Sequence, residues 1–204
     1  TITDIHEACK RIGLVKLKNL AIGMAMEQLF DSQNKQIQIK MHEVWMDTVT
    51  MTSCAIGAYA VCDKQKHVRE ETLFLACLVH NIGMLAILNE AETNPAEFAQ
   101  PAFLNETASR LSPILGGQIL KQWEFEQPII YAVERWRRKE SDDAKQAIDY
   151  VDYLRLGAAL NGYFEDKQER MIAYCKKKGM FSHPDILACD KYNEMSQAVL
   201  ASFI

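Results

Sequence analysis

The six cysteines of this sequence (Cys9, Cys54, Cys62, Cys77, Cys175, Cys189) form no C-x-x-C pair. Most lie among apolar residues in helical patterns, which points to reduced thiols in a cytoplasmic protein. Positive charge is not in excess either. A formal charge of −4 and a pI near 5.8 supply no general attraction to phosphate backbones or anionic lipid, so neither nucleic acid nor a membrane is an expected partner. No apolar leader segment opens the chain. There is no Gly-rich phosphate loop, nucleophile elbow or zinc-ligand spacing. No segment alternates apolar and polar residues as a half-buried strand would, and no repeat of about 20 to 50 residues is present.

What remains is helical periodicity. The 204 residues, 49% of them hydrophobic, suffice for one compact all-α domain. The spacing from Ile5 predicts two helices with Gly13 as the turn between them, the second ending near Phe30, and then a long one from Ile37 to Cys62. An apolar helix follows over 70–89, and then one over 105–123 broken near Pro113. Pro128 suits the start of a helix over 129–139. Three more are predicted, over 145–163, over 169–178 with Gly179 as the stop, and over 184–203.

The centre of this pattern is Leu73 to Leu88, where thirteen of sixteen residues are apolar and the exceptions are His80, Asn81 and Gly83. Sixteen residues fall short of the roughly 18–20 that cross a bilayer, so the stretch reads as a core helix broken at Gly83. An imidazole and a carboxamide buried there need partners, at a cost of roughly 1–3 kcal/mol for each left without one. Asp47 on the long helix and Asp152 among apolar neighbours are the carboxylates that could converge on His80. Together they would hold a divalent cation or form a dry hydrogen-bonded cluster in which Asp152 accepts from the imidazole. The run Arg135-Trp136-Arg137-Arg138-Lys139 reads as a solvated helix end, or as a phosphate or partner contact with Trp136 as a stacking face.

Several stretches resemble a known family. Leu78-Val79-His80-Asn81-Ile82-Gly83 is similar to the L-L-H-D-I-G signature of HD metal-dependent phosphohydrolases. Glu7 to Leu14 with Lys18 to Ala21, and Leu115 to Trp123, resemble motifs of the HD-related output domains (HDOD). The resemblance runs from about Ile5 to Leu160 and implies a compact multi-helix HD-like bundle. It also implies that residues 1–204 form one HDOD-like domain without the helical lobe that family members carry upstream.

In catalytic relatives, histidines, an H-D doublet and a late aspartate hold one or two divalent ions. Set against that pattern, Asp47 stands in place of a histidine, Asn81 in place of the doublet's aspartate, Ser112 in place of a histidine, and Trp136-Arg137 in place of a His-His pair. Only His80 and Asp152 match. The resemblance with this eroded set implies a non-catalytic signal-transduction module that acts through a protein partner, a regulatory domain or a small ligand, with no cofactor expected. The alternative is a metal-dependent phosphohydrolase using Asp47, His80 and Asp152 on a nucleotide or other phosphoester. Replacement of His80 is expected to destabilise the fold rather than to remove a turnover.

Overall fold

The computed structural model describes residue 4 and residues 13–62, 67–95, 101–138, 147–164 and 167–203. The helix expected before Gly13, and with it most of the Glu7-to-Leu14 motif, lies outside these residues. Among them there is no strand. In chain order the helices are α1 (Leu14–Glu27), α2 (Lys35–Ala60), α3 (Glu70–Val79), α4 (Ile82–Thr93), α5 (Pro101–Gln122), α6 (Gln127–Arg135), α7 (Tyr150–Leu160), α8 (Gln168–Lys178) and α9 (Asp190–Leu200), with a 3₁₀ turn at Ile186–Ala188. The all-α bundle expected from the sequence is present.

The longest helix, α2, begins where the Asn34 side chain accepts from the amides of Gln36 and Ile37. Thr48, Thr50 and Thr52 are satisfied inside it because each hydroxyl donates to the carbonyl four residues back. Its buried residues, from Met41 to Ala58, pack against α7 and α9. The α7 contact is close because residue 157 is glycine: a Cβ there would come within 2.8 Å of the Met51 carbonyl oxygen. α8 ends as expected, with Gly179 left-handed at φ 86°.

Among the expected boundaries that differ, three do so for a clear local reason. The break in the apolar stretch falls at His80-Asn81, not at Gly83. The imidazole takes the carbonyl of Cys77, the acceptor that the Asn81 amide would need to carry the helix on. α5 runs unbroken through Pro113. Proline there costs one donor to the Ser109 carbonyl, and burial of Ala108, Ser112 and Leu120 holds the helix together across the gap. α6 stops at Arg135 instead of continuing to 139. The buried Arg155 of α7 donates to the carbonyls of Trp136 (3.2 Å), Arg135 (3.3 Å) and Arg138 (2.9 Å), holding the chain in a turn.

Glu70–Thr93 as one stretch is long and apolar enough to cross a membrane, longer than the sixteen-residue core suggested, but 83% of its apolar window is buried inside the protein. The five cysteines within the described residues are reduced thiols, four of them buried.

Candidate functional site

His80 closes α3 with 1% of its surface exposed, its Nδ1 2.6 Å from the Cys77 carbonyl oxygen. A carbonyl only accepts, so Nδ1 carries the proton and Nε2 keeps a bare lone pair. Burial pushes the imidazole pKa from 6.5 down to about 3; the Cys77 carbonyl opposes this and the Arg137 charge adds to it. His80 is therefore neutral at physiological pH.

The sign of the linkage follows. Below about 6.5 the unfolded chain binds a proton that the folded one refuses until about pH 3. Stability should fall across that window as pH drops, by up to about 1.4 kcal/mol per pH unit from this group. Urea unfolding at a series of pH values should show that slope in the difference between the parent and His80→Gln. A flat difference would mean that the imidazole is not held neutral.

Asn81 follows with its amide fixed by two neighbours. Nδ2 donates to Thr48 Oγ1 (3.2 Å), whose own proton goes to Val44. Oδ1 accepts from Arg137 Nη2 at 3.1 Å. Donor on one side and acceptor on the other is what a carboxamide provides, and a carboxylate does not. Arg137 Nη1 donates to the Ala108 carbonyl at 3.2 Å, and the guanidinium lies 4.7 Å from the Trp136 ring centre and 5.4 Å from that of Tyr163. Burial lowers the Arg137 pKa, and the guanidinium stays protonated. It thus sits against neutral acceptors and aromatic faces, with no carboxylate in either hydrogen bond. Arg155 acts here by position, since the turn it holds is the one that carries Trp136 and Arg137.

These groups line a cavity of about 260 Å³. His80, Asn81, Trp136 and Arg137 are joined in its wall by Lys40, Asp47, Asn105, Ser109, Asn161 and Tyr163. Trp136 is 1% exposed and meets the His80 ring edge-on at 5.0 Å. Its expected role as a stacking face is therefore corrected, as is the solvated reading of the run at Trp136 and Arg137. Arg135 and Arg138 are exposed and do not line the cavity; Arg135 lies over the Tyr131 ring at 4.3 Å. Lys139 lies outside the described residues.

Asp47 does line the cavity, from an exposed position on α2. Partial enclosure raises its pKa, with Lys40 pulling the other way and Glu43 adding to the rise. Ser112 is buried against the α4 backbone at Gly83 and is absent from the cavity lining.

Asp152 is elsewhere. Its Oδ2 accepts from Lys178 Nζ at 2.6 Å and from the Asp149 amide at 2.9 Å, and its own amide donates back to Asp149. It forms a capping box at the start of α7 and a buried ion pair with α8. Desolvation works against the Lys178 charge, but the hydrogen bond and the charge of Asp152 raise its pKa overall. The expected convergence of Asp47, His80 and Asp152 is thus corrected. The imidazole proton goes to Cys77, and the aspartate is taken by a lysine 26 residues further along the chain.

An all-helical bundle with a His-Asn turn in the wall of a cavity has the architecture of the HD-like class. The HDOD domain model matches residues 1–138, and the chain belongs to the HDOD family. The chain is also similar to a crystal structure of a protein from Shewanella amazonensis SB2B, provisionally named a metal-dependent phosphohydrolase. The TM-score is 0.85 and the identity 30%, over all of this chain and 74% of the other. No curated protein matches it significantly. Asp152 lies beyond the matched residues, whereas the His80 turn and Arg137 lie within them.

The superfamily is usually metal-dependent, but the residues of this cavity do not fit a divalent ion. Among the described residues no three His, Cys, Asp or Glu side chains come together to hold one. An ion at the Asn81 oxygen would share that oxygen with the Arg137 guanidinium. At about 4 Å in a partly solvated site two unit charges repel by about 4 kcal/mol, and a dication doubles that. The carboxylate that could offset it at position 81 is an amide.

Proposed function

We propose that this chain is a non-catalytic regulatory module of the HDOD family, a signal-transduction output domain of a bacterial cytoplasmic protein that acts by binding a protein partner or a small ligand. One observation carries the reading: the Arg137 guanidinium donates to Asn81, so a side-chain cation stands where a catalytic relative would place its metal. Hydrolysis of a phosphoester needs a metal-activated water or an equivalent base held against the substrate. Here the His80 imidazole has one nitrogen tied to Cys77 and no carboxylate behind it.

The alternative, a metal-dependent phosphohydrolase, draws on the provisional name of the Shewanella protein. The test is an assay with Mg²⁺, Mn²⁺ or Fe²⁺ against a phosphomonoester, a phosphodiester and nucleotides, with His80→Gln alongside after its melting curve confirms a folded protein. No turnover that depends on His80 is expected. Metal-stimulated turnover in the parent that disappears in folded His80→Gln would establish the phosphohydrolase instead.

A further inference from the structure

The cations of the cavity are not equally partnered. The lining residues that carry charge at neutral pH are Lys40, Asp47 and Arg137, with His80 neutral. Lys40 pairs with Glu43 at 2.8 Å and acts on Asp47, whereas Arg137 has no carboxylate in either of its hydrogen bonds. Both of its hydrogen-bond acceptors are neutral, and its Nε–H is buried without a partner. The Nε1–H of Trp136, in the same wall, is also buried and unpartnered. Buried donors without acceptors are uncommon and call for an explanation. A lining guanidinium whose Nη1 and Nη2 each keep a second N–H beyond the bond made to a neutral acceptor is suited to an oxyanion.

The rest of the lining narrows the occupant. A single guanidinium without a carboxylate partner matches a monoanion; a phosphate dianion would overshoot it and face Asp47 as well. His80 offers the cavity only the Nε2 lone pair, because Nδ1 is bound to Cys77, and that lone pair needs a donor from the ligand. Asn105, Ser109 and Asn161 add polar groups that both give and accept hydrogen bonds. At about 260 Å³ the space lies just below the range that holds drug-sized molecules.

We infer that the cavity binds a small monocarboxylate with a hydroxyl donor beside the carboxylate, the anion resting on Arg137 and the donor on His80. This rests on the metal-free, non-catalytic reading and names the kind of small ligand that such a module would sense.

The experiment is a titration of the ¹⁵N-labelled protein at pH 7 followed through the Trp136 indole N–H, with the indoles of Trp45 and Trp123 as internal references. The probes are L-lactate, propionate, lactamide and inorganic phosphate. Lactate should give a saturable shift confined to Trp136, at a concentration roughly tenfold or more below lactamide, which lacks the charge. Propionate, lacking the hydroxyl, should fall between them, and folded Arg137→Gln should lose the lactate response.

Equal responses to lactate and lactamide, or no saturable response to either carboxylate, would overturn the inference without recourse to any variant. Phosphate saturating at lower concentration than lactate would overturn the carboxylate assignment. Addition of Mn²⁺ separates the two readings: paramagnetic broadening of the Trp136 signal that requires His80 would sink the metal-free reading, whereas failure of the carboxylates alone would leave it standing.

Discussion

Replacing Gly83 by alanine is expected to cost roughly 3 kcal/mol of stability, the upper end for overpacking a core. Gly83 lies in the first turn of α4, where that helix crosses α5. A Cβ there would lie far inside contact distance of the Ser112 carbonyl oxygen and only 2.5 Å from the Gly116 nitrogen. Both are backbone atoms of a helix, so neither can swing aside. Gly116→Ala makes the control. Its added methyl would meet a Val133 methyl at 3.0 Å and the Gly83 nitrogen at 3.4 Å, contacts that small shifts relieve. Denaturant unfolding of the two variants should show a much larger loss for Gly83→Ala. Similar losses would mean that the α4–α5 crossing is looser than described. The crossing also sets the distance from the His80 turn to the α5 carbonyl that accepts from Arg137, so the glycine serves the site through the helix pair.

Asp152→Ala should cost about 3–5 kcal/mol, because it strands a lysine ammonium in the interior. The two side chains are 3% and 5% exposed and 2.6 Å apart. Loss of the aspartate also removes one half of the capping box at the start of α7. The double variant Asp152→Ala with Lys178→Met should recover a large part of the loss, since a buried pair replaced by apolar groups is often close to neutral. Thermal and urea unfolding of parent, single and double variants form the check. A single variant as stable as the parent would show that the pair contributes nothing.

Much of this was legible in the residues. The apolar run around His80 and Asn81 marks the core, and its polar pair marks the place where other elements must supply partners. Gly179 as a helix stop and Pro128 at a helix start follow from backbone chemistry alone. The errors came from partners distant in sequence. The Lys178 that claims Asp152 stands at the end of a basic helix end that reads as solvated. Helical spacing carries no signal that its last lysine turns inward.

The Arg135-to-Lys139 run misled for the same reason. Its turn is held by Arg155, and the signal that could have found it was there: an arginine flanked by Leu154 and Leu156 on an apolar helix face needs acceptors, and helix-end carbonyls are the commonest free ones. The break expected at Gly83 moved to Asn81 because a side chain, not a flexible residue, ended the helix. Pro113 failed to break α5 because buried neighbours on both sides outweigh one lost hydrogen bond.

Arg137 supplies the cation beside Asn81, and we propose that no metal joins it there. Elemental mass spectrometry of protein purified without chelator tests it most directly, with folded His80→Gln measured in parallel. Mn, Fe, Zn and Ni should lie far below one equivalent in both proteins, unchanged by the substitution. Near-stoichiometric metal in the parent that is lost in His80→Gln would contradict the proposal.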